Sequence, residues 1–504
     1  MNEANITGEI PAIWKLGIIT PIHKGGSTSD PSNFRPVSLT SHLMKIMERV
    51  VRRNLVRHLE VMGKMDNNQH GSRQGRSTLS QLLEHHNEIV TCLENNENVD
   101  VIYLDFAKAF DKCDLGILMH KLRALGITGK VARWIYNFAM RRKQKVVVSG
   151  CTSESTELVS GVAQGTVLGP LLFLIYVSDI SENIKSNVKE YVDDTKVKRS
   201  ISQEDDIAEL QEDLDRIYEW AKENNMKFNG TKFQVVKYGN NSDLKHDYEY
   251  FTENTEDIIE RFENLRDLGV ILSDTAKFDK QIENVAKKTS QKAGWVLRTF
   301  HSRNPLFMKS IYKTLVVPHV DYCSQLWMPT KSTGILTIER LQQTFMNRIP
   351  ALKMLNYWQK LRQMKMLSLQ RRQERYRVLY VWKTLQGLVP NCGITIKNTP
   401  EDRLGRTCKI PTINTGATAA AKSLREQTFQ VHGAQLFNSL PPYLRNMTKC
   451  SLDMFKEKLD KYLEKVPVEP SVAGLTPATC SPDGRPSNSL LHQRPVKSTR
   501  NPGV

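Results

Sequence analysis

Three aspartates in two short motifs have the residue types of a metal-dependent phosphoryl-transfer site. Asp105 ends the apolar run of IYLDFAKAFD, and Asp193 and Asp194 are adjacent in EYVDDTK. Carboxylates in a semi-buried place repel one another unless cations lie between them, and Mg²⁺ prefers such oxygen ligands together with substrate phosphates. Two ions about 4 Å apart can activate an attacking 3′-hydroxyl and stabilise the leaving pyrophosphate. We therefore predict a site for two Mg²⁺, with Mn²⁺ as a substitute ion; the alternative for a bare acid pair is an exposed turn.

The elements that must position these acids follow from the apolar pattern. VDVIYLDF (99–106) is rich in β-branched and aromatic residues, which predicts a buried strand that delivers Asp105. KVVVSG (145–150) and KEYVDDTKVK (189–198) predict further strands, and LGPLLFLIYVSDI (168–180) predicts a helix entered through Gly169 and Pro170. Helical spacing predicts further helices in LMKIMERVVRRNLVRHLE, over 78–93 and 204–223, and in LTIERLQQTFMNRI and RRQERYRVLYVWKTLQGL.

A glycine-rich segment, SGVAQGTVLGPLLF (160–173), lies between the two aspartate motifs. Glycines on both sides of Gln164 let the backbone come close to a flat group such as a base or a sugar. The alternative is an ordinary glycine-rich entry to the following helix.

Composition narrows the class of protein. The chain has 504 residues, enough for about three folding units, and its 71 Lys and Arg against 54 Asp and Glu give a net charge of +17, which favours a nucleic-acid partner. Eight scattered cysteines show no close pair for a structural zinc, and they fit a reducing compartment. With no signal segment and no apolar run near the roughly 20 residues of a membrane span, we predict a soluble, intracellular protein of the cytoplasm or nucleus.

The positive charge is not uniform along the chain. Residues 1–330 hold 43 basic and 43 acidic residues, whereas 331–400 hold 13 against 2 and 401–504 hold 15 against 9. The positive surplus over 331–400 predicts that the helix with the interleaved aromatics Tyr376, Tyr380 and Trp382 contacts template or target DNA. The alternative is that this helix presents an exposed basic face to solvent. The contact residues would be Arg371, Arg372, Arg375 and Arg377.

Taken in order, the motifs resemble the reverse transcriptase of non-LTR retrotransposons of the jockey and chicken-repeat type. The matching segments are GEIPAIWKLGIITPIHKGGSTSDPSNFRPVSLTSHLMKIMER, NQHGSRQGRST, YLDFAKAFDK, SGVAQGTVLGPLLF, YVDDTK, MKFNGTKFQVV and LRDLGVIL, with LVVPHVDYCSQLW and LFNSLPPYLRN further on. The resemblance implies an α+β right-hand polymerase followed by a mainly helical C-terminal region. The implied domains are fingers (1–98), palm (99–275, with a finger insertion at about 115–158), thumb (276–330), a basic helical region (331–465) and a disordered tail (466–504).

The resemblance also implies roles for single residues in an RNA-directed DNA polymerase. Asp105, Asp193 and Asp194 would be the catalytic carboxylates, with Asp105 and Asp193 as direct metal ligands. Lys232 would protonate the pyrophosphate. The residues expected to contact the deoxynucleoside triphosphate are Lys24, Arg35, Phe110 and Gln164, and those expected to grip the primer are Leu268 and Gly269. Phe110 would exclude a ribose 2′-hydroxyl, which argues against an RNA-dependent RNA polymerase.

Four positions depart from the family pattern: Ser72, Ala163, Thr166 and Val192 replace an aromatic residue, a proline, a serine and an alanine. None of them removes a metal ligand. The implied partners are an RNA template, a DNA primer or target and deoxynucleoside triphosphates. The alternative is a decayed nucleic-acid-binding remnant. Because the finger motifs begin within a few residues of the start, we also expect a 5′-truncated reading frame without the endonuclease domain of complete elements.

Overall fold

The computed structural model describes residues 9–158, 160–239, 246–251, 256–397, 406–467 and 489–491. The chain forms two compact units that interleave along the sequence. The first unit comprises 1–74, 100–235 and 242–261, and the second comprises 75–99, 236–241 and 262–504. Within the described residues, no helix is both long and apolar enough to cross a membrane. The predicted tail over 466–504 lies outside the described residues except at 466–467 and 489–491.

Strands and helices alternate through the first half of the chain, and helices dominate the second. The strands are β1 (Leu16–His23), β2 (Phe34–Leu39), β3 (Asn98–Leu104), β4 (Arg142–Val148), β5 (Cys151–Thr152), β6 (Thr156–Leu158), β7 (Asn187–Tyr191), β8 (Asp194–Ile201), β9 (Gln234–Tyr238), β10 (Glu249–Phe251), β11 (Glu256–Ile258), β12 (Glu260–Arg261), β13 (Asn264–Asp267), β14 (Val270–Ser273), β15 (Thr395–Ile396) and β16 (Cys408–Lys409).

The α-helices are α1 (His42–Val61), α2 (Thr78–Glu94), α3 (Ala109–Lys112), α4 (Leu115–Ala124), α5 (Gly129–Ala139), α6 (Gly169–Val177), α7 (Glu204–Glu223), α8 (Asp279–Thr299), α9 (Pro305–Ile311), α10 (Val317–Asp321), α11 (Ser324–Trp327), α12 (Ser332–Met346), α13 (Tyr357–Met364), α14 (Leu369–Leu385), α15 (Ala419–Gln427), α16 (Ala434–Asn438), α17 (Pro442–Arg445) and α18 (Leu452–Leu463). These bounds confirm the predicted α+β class and every helix named from the sequence.

The central sheet of the first unit has the strand order β12-β9-β3-β8-β7. Six of the seven residues of β3 are buried, which explains its nearly continuous apolar sequence. The strand ends at Leu104, so Asp105 lies one residue beyond it. The segment 189–198, predicted to be extended, forms the antiparallel hairpin β7–β8, in which Tyr191 pairs with Asp194. Asp193 therefore lies in the two-residue turn.

A second sheet in the first unit has the order β2-β1-β4-β5, with β6 paired to β4. Strand β1 runs antiparallel to β2 and parallel to β4. The turn over 24–33 separates β1 from β2, as the proline and glycine content of the sequence predicts. Helix α6 is buried at eight of its nine positions and belongs to the first unit's apolar core with α1 and α4.

The second unit is built around two apolar cores. The larger one includes Trp327, Trp382 and Phe455 from three different helices, and the rings of Trp382 and Phe455 stack at 4.6 Å. The smaller one joins α8, α9, α12 and α13 through residues such as Val296 and Leu361. The helical character predicted from Asp279 onward is confirmed.

Candidate active site

Asp105 forms an ion pair with a lysine that is 127 residues away in sequence. Its Oδ2 accepts a hydrogen bond from Lys232 Nζ at 2.6 Å. The backbone holds both segments in place, because Asn229 N donates to the Asp105 carbonyl at 2.8 Å and the rings of Phe106 and Phe228 stack at 4.4 Å. The structure thus brings the predicted Lys232 to the first predicted carboxylate.

Asp193 lies in the electrostatic field of three other predicted site residues. Burial raises the pKa of the Asp193 carboxyl, and the negative charge of Asp105 raises it further, while the positive charges of Arg35 and Lys232 lower it. These four side chains therefore act on one another in one region of the first unit, although they come from four separate segments of the chain.

The third predicted carboxylate, Asp194, is the first residue of β8 and is exposed. Among the described residues, no three His, Cys, Asp or Glu side chains form a group that could hold a metal ion. The arrangement that the structure supports is the pair of Asp105 and Asp193, and Mg²⁺ needs one or two carboxylates plus substrate phosphates. The donor set therefore fits the ion.

The Gln164 loop is fixed to two parts of the first unit. The Gln164 carbonyl accepts a hydrogen bond from Ser38 N in β2 at 2.7 Å, and Val162 N donates to the Phe110 carbonyl at 2.8 Å. Phe110 in turn stacks on Phe173 of α6, with ring centroids 4.7 Å apart.

The glycines of this loop allow close approaches between backbone segments. A Cβ added to Gly165 (φ +103°) would lie 2.6 Å from the Ser38 carbonyl oxygen, and one added to Gly161 (φ +87°) would lie 2.7 Å from the Phe110 carbonyl oxygen. In the structure these glycines let the loop approach the protein's own backbone. Their approach to a base or sugar stays a prediction.

The two basic residues predicted in the fingers lie on either side of the β1–β2 turn. Arg35 pairs with Ile22 in the sheet, and Lys24 N donates to the Asn33 carbonyl at 2.8 Å. Both side chains are exposed. The charge of Lys24 lowers the pKa of Asp111, although burial, the larger effect, raises it.

A buried glutamate that the motifs did not reveal supports the Gln164 loop. Glu48 is fully buried in α1, and its Oε2 accepts hydrogen bonds from Val167 N at 2.6 Å and Leu168 N at 2.8 Å. It thereby satisfies amides at the start of α6 and complements the positive end of that helix. One sequence signal was present: Glu48 follows Met47 on the otherwise apolar, inward side of α1.

A second unpredicted acid, Glu190 of β7, lies three residues before Asp193. It is 2% exposed, and its Oε2 accepts a hydrogen bond from Gln69 Nε2 at 2.9 Å. Burial, reinforced by the charges of Asp66 and Asp179, raises the pKa of Glu190 to about 8, against the lowering effect of the Gln69 hydrogen bond.

This raised pKa predicts a pH-dependent stability. In the unfolded chain Glu190 ionises near pH 4.5, whereas in the folded protein it keeps its proton up to about pH 8. The free energy of unfolding should therefore fall as pH rises through this window, by roughly 3–5 kcal/mol. Glu190→Gln, which keeps the acceptor but cannot ionise, should remove that fall. Urea unfolding of both proteins at pH 5 and pH 8.5 measures it; an equal decrease in both would contradict the assignment to Glu190.

Leu268 and Gly269, the predicted primer grip, form the two-residue turn between β13 and β14 in the second unit. Asp267 pairs with Val270 across the hairpin, and both turn residues have positive φ, 45° and 85°. Tyr322 Oη donates a hydrogen bond to the Leu268 carbonyl at 2.7 Å. The turn is therefore held by the helical part of its own unit.

The prediction that α14 contacts nucleic acid is wrong, because its arginines are used inside the protein. Arg371 and Arg377 are 0% exposed. Arg371 lies 3.4 Å from the carboxylate of Glu374, and Arg377 Nε donates to the Gln325 carbonyl at 2.9 Å.

The two remaining arginines of α14 bind carboxylates. Arg372 makes a two-pronged contact with Asp321, at 2.8 and 2.7 Å, and Arg375 Nη2 lies 2.7 Å from Asp460. Of the interleaved aromatics, Tyr380 and Trp382 are buried. The sequence of α14 is strongly basic, but carboxylates of other helices pair with Arg372 and Arg375 in the folded protein.

Comparison with known proteins identifies the class. Residues 22–272 match the family model described as reverse transcriptase (RNA-dependent DNA polymerase), and all the predicted site residues of the first unit lie within this segment. The chain thus carries a domain of the reverse transcriptase family, which confirms the resemblance.

The curated relatives are proteins of mobile elements. The chain is 28% identical to the probable RNA-directed DNA polymerase from transposon X-element of Drosophila melanogaster, over 66% of this chain and 37% of the relative. It is also 28% identical to the RNA-directed DNA polymerase from mobile element jockey of the same organism, over 69% of this chain and 39% of the relative. The matched part is thus less than two fifths of each relative's length.

Among solved structures, this chain is similar to the apo telomerase from Candida tropicalis. The alignment covers 72% of this chain and 64% of the telomerase chain, with 12% sequence identity and a TM-score of 0.41.

Proposed function

We propose that this chain is an RNA-directed DNA polymerase of a non-LTR mobile element, which extends a primer 3′-hydroxyl with deoxynucleotides along an RNA template. The observation that carries the proposal is the convergence of Asp105, Asp193, Lys232 and Arg35 within a reverse transcriptase domain. Two carboxylates and two positively charged side chains suit the transfer of a nucleotide from a triphosphate, because the negative charge of the phosphates must be neutralised.

Asp105 and Asp193 would hold Mg²⁺, or Mn²⁺ in its place, with Asp194 as the third predicted carboxylate. When bound, the ions neutralise the triphosphate and activate the attacking 3′-hydroxyl. The acids are suited to cations because burial and then the negative charge of Asp105 raise the pKa of Asp193, so a positive charge between the two acids favours their ionised forms. Lys232, whose side chain is 61% exposed, would turn from Asp105 to give a proton to the leaving pyrophosphate.

The remaining residues of the first unit would bind and select the incoming nucleotide. Arg35 and Lys24 would bind its phosphates, the guanidinium of Arg35 in a two-pronged manner. Phe110, held against Phe173, would block a ribose 2′-hydroxyl. Gln164, whose loop is hydrogen-bonded to β2, would pack on the base pair.

Assigned to the sequence, the proposal places fingers at 1–98, palm at 99–275 with the insertion at about 115–158, thumb at 276–330 and the helical region at 331–465. The turn of Leu268 and Gly269 would grip the primer. Because nucleoside triphosphates and the RNA of a mobile element are found inside cells, we place the activity in the cytoplasm or nucleus.

With α14 excluded, the template and primer contacts need another basic surface. Residues 284–368, which end before α14, contain fourteen Lys and Arg but two acids, Asp321 and Glu339; Asp321 binds Arg372 and Glu339 is buried. On α8, Lys288, Lys292 and Trp295 share one face, and Lys292 Nζ lies 4.1 Å from the centre of the Trp295 ring. A cation beside an exposed aromatic ring suits a nucleic-acid backbone and its bases.

Replacing Lys288 and Lys292 with Gln should therefore weaken binding to an RNA–DNA hybrid and flatten its salt dependence. Each phosphate interaction that is removed should reduce the slope of log K against log salt by about 0.7–0.9. Fluorescence anisotropy between 50 and 300 mM KCl measures the slope. Lys456 and Lys461, exposed lysines of α18 that pair with acids of their own helix, provide the matched double control. An unchanged slope in the α8 variant would exclude this face.

Primer extension on an RNA template, with deoxy- and ribonucleoside triphosphates supplied in parallel, tests the proposed function. We expect Mg²⁺-dependent addition of deoxynucleotides. The second candidate, a binding remnant, is favoured by Val192, a β-branched residue held at φ 62° in the turn that carries Asp193. Template binding without incorporation would establish the remnant, and preferred use of ribonucleotides would make the chain an RNA polymerase.

A further inference from the structure

The turn that carries Asp193 has a backbone that needs external support. Val192, its first residue, has φ 62°, a left-handed conformation that costs a residue with a Cβ about 1–2 kcal/mol. A β-branched residue is especially poor there. A turn of this kind keeps its shape when surrounding groups hold it.

One side-chain oxygen provides that support. The Oε1 of Gln69 accepts hydrogen bonds from Val192 N at 2.9 Å and from Gly71 N at 2.7 Å. It thus ties the turn to the NQHG segment, more than a hundred residues away in sequence. Gln69 is 4% exposed, so water does not compete for these hydrogen bonds and they are correspondingly strong.

Gln69 is itself fixed by β7, the strand that leads into the turn. Its Nε2 donates to Glu190 Oε2 at 2.9 Å. The backbones are joined on both sides, since Glu190 N donates to the Asn68 carbonyl at 3.1 Å and His70 N donates to the Glu190 carbonyl at 3.0 Å. The amide group of Gln69 therefore has a single orientation, with its oxygen toward the turn.

Gly71 completes the contact, because the two backbones approach too closely for a side chain. A Cβ added to Gly71 would lie 2.6 Å from Val192 N and 2.4 Å from Val192 Cγ2. The glycine of NQHG is explained by this approach and the glutamine by its two hydrogen bonds.

We propose that Gln69 is a positioning residue for Asp193, which it keeps beside Asp105 by holding the Val192 amide. The inference rests on the proposed polymerase function for its catalytic consequence. Its structural part concerns the protein without any substrate, so the two can be tested separately.

The first test replaces Gln69 with Ala in the full chain and measures amide hydrogen exchange and nucleotide incorporation. We expect faster exchange at Gly71 and Val192, and an incorporation rate lower by about 10- to 100-fold at saturating nucleotide, as for a misplaced catalytic group. The KM for the nucleotide should change little, because Gln69 is buried and contacts the backbone of the turn. The control is Gln342→Ala, which removes a buried glutamine that hydrogen-bonds to the Leu367 carbonyl at 3.0 Å in the second unit; it should lower stability and leave both readouts unchanged.

The second test is a rescue that a general decrease in stability cannot imitate. Gln69→Glu alone places two acids together, and above pH 8, where Glu190 also ionises, it should be as defective as the alanine variant. Combined with Glu190→Gln, it restores the pair with donor and acceptor exchanged, since the introduced carboxylate can accept from both backbone amides and from the introduced side-chain amide. A carboxylate with three such donors is stable even when buried. We expect the double variant to recover exchange protection and most of the incorporation rate.

Unchanged exchange at Val192 in Gln69→Ala, or no recovery in the exchanged pair, overturns the proposal. If the wild-type chain incorporates no nucleotide, the proposed function fails, and the exchange data alone still decide whether Gln69 holds the turn.

Discussion

Replacing Asp193 with Asn is expected to abolish nucleotide incorporation while leaving the protein at least as stable as the wild type. The carboxylate is half-buried, and burial together with the charge of Asp105 raises its pKa, so the folded protein disfavours its ionised form. A neutral amide removes that unfavourable charge. Incorporation should fall by about 10³-fold or more, because losing a charge clamp worth several kcal/mol costs a factor of ten for each 1.36 kcal/mol.

Single-turnover incorporation and thermal unfolding, measured on the same preparations, check both parts. Asp453→Asn is the matched control, since Asp453 is 89% exposed on α18 and pairs with Lys456. It should change neither quantity appreciably. Incorporation that survives Asp193→Asn would remove Asp193 from the active site, and a large drop in melting temperature would mean that its charge stabilises the fold.

Replacing Arg371 with Met is expected to destabilise the second unit and to leave nucleic-acid binding by the remaining folded protein unchanged. Arg371 and Glu374 are both fully buried, and the guanidinium also donates to the Val466 carbonyl at 3.5 Å. Removing one member of a buried ion pair leaves the other charge buried without an oppositely charged partner. The expected cost is about 3–5 kcal/mol.

Chemical denaturation measures that cost, and the double variant Arg371→Met/Glu374→Gln tests its cause. If the destabilisation comes from the stranded Glu374 charge, the double variant should recover a large part of it. A variant with wild-type stability but a flatter salt dependence of RNA binding would restore the surface role predicted from the sequence and contradict the buried ion pair.

The arginines of α14 show where reasoning from the sequence succeeds and where it fails. Charge counting placed the positive surplus behind the polymerase motifs correctly, but it could not tell which arginines are exposed. Asp321 and Asp460, the partners of Arg372 and Arg375, lie 51 and 85 residues away in sequence. Neutralisation by distant acids leaves no local pattern in the sequence. Lys288 and Lys292 of α8 lie in the stretch 284–320, whose sequence contains no Asp or Glu.

Local patterns were sufficient for the elements that carry the acids. The buried run of β3 and the short turn of β7–β8 are encoded by adjacent residues, so Asp105 and Asp193 could be placed at the ends of strands. Glu48 and Gln69 escaped prediction because their role is to satisfy backbone amides of other segments. The glycines around Gln164 were found, but their close approach to Ser38 and Phe110 depends on a tertiary contact that spacing alone does not specify.

Single-nucleotide extension of a DNA primer on an RNA template is the most direct test of the central claim. It should be run with the wild-type chain, Asp105→Asn, Asp193→Asn and Asp453→Asn at equal template occupancy. The account predicts Mg²⁺-dependent addition of one deoxynucleotide by the wild type and the Asp453 control, and none by the two active-site variants. Equal extension by all four proteins, or template binding without extension by the wild type, would contradict it.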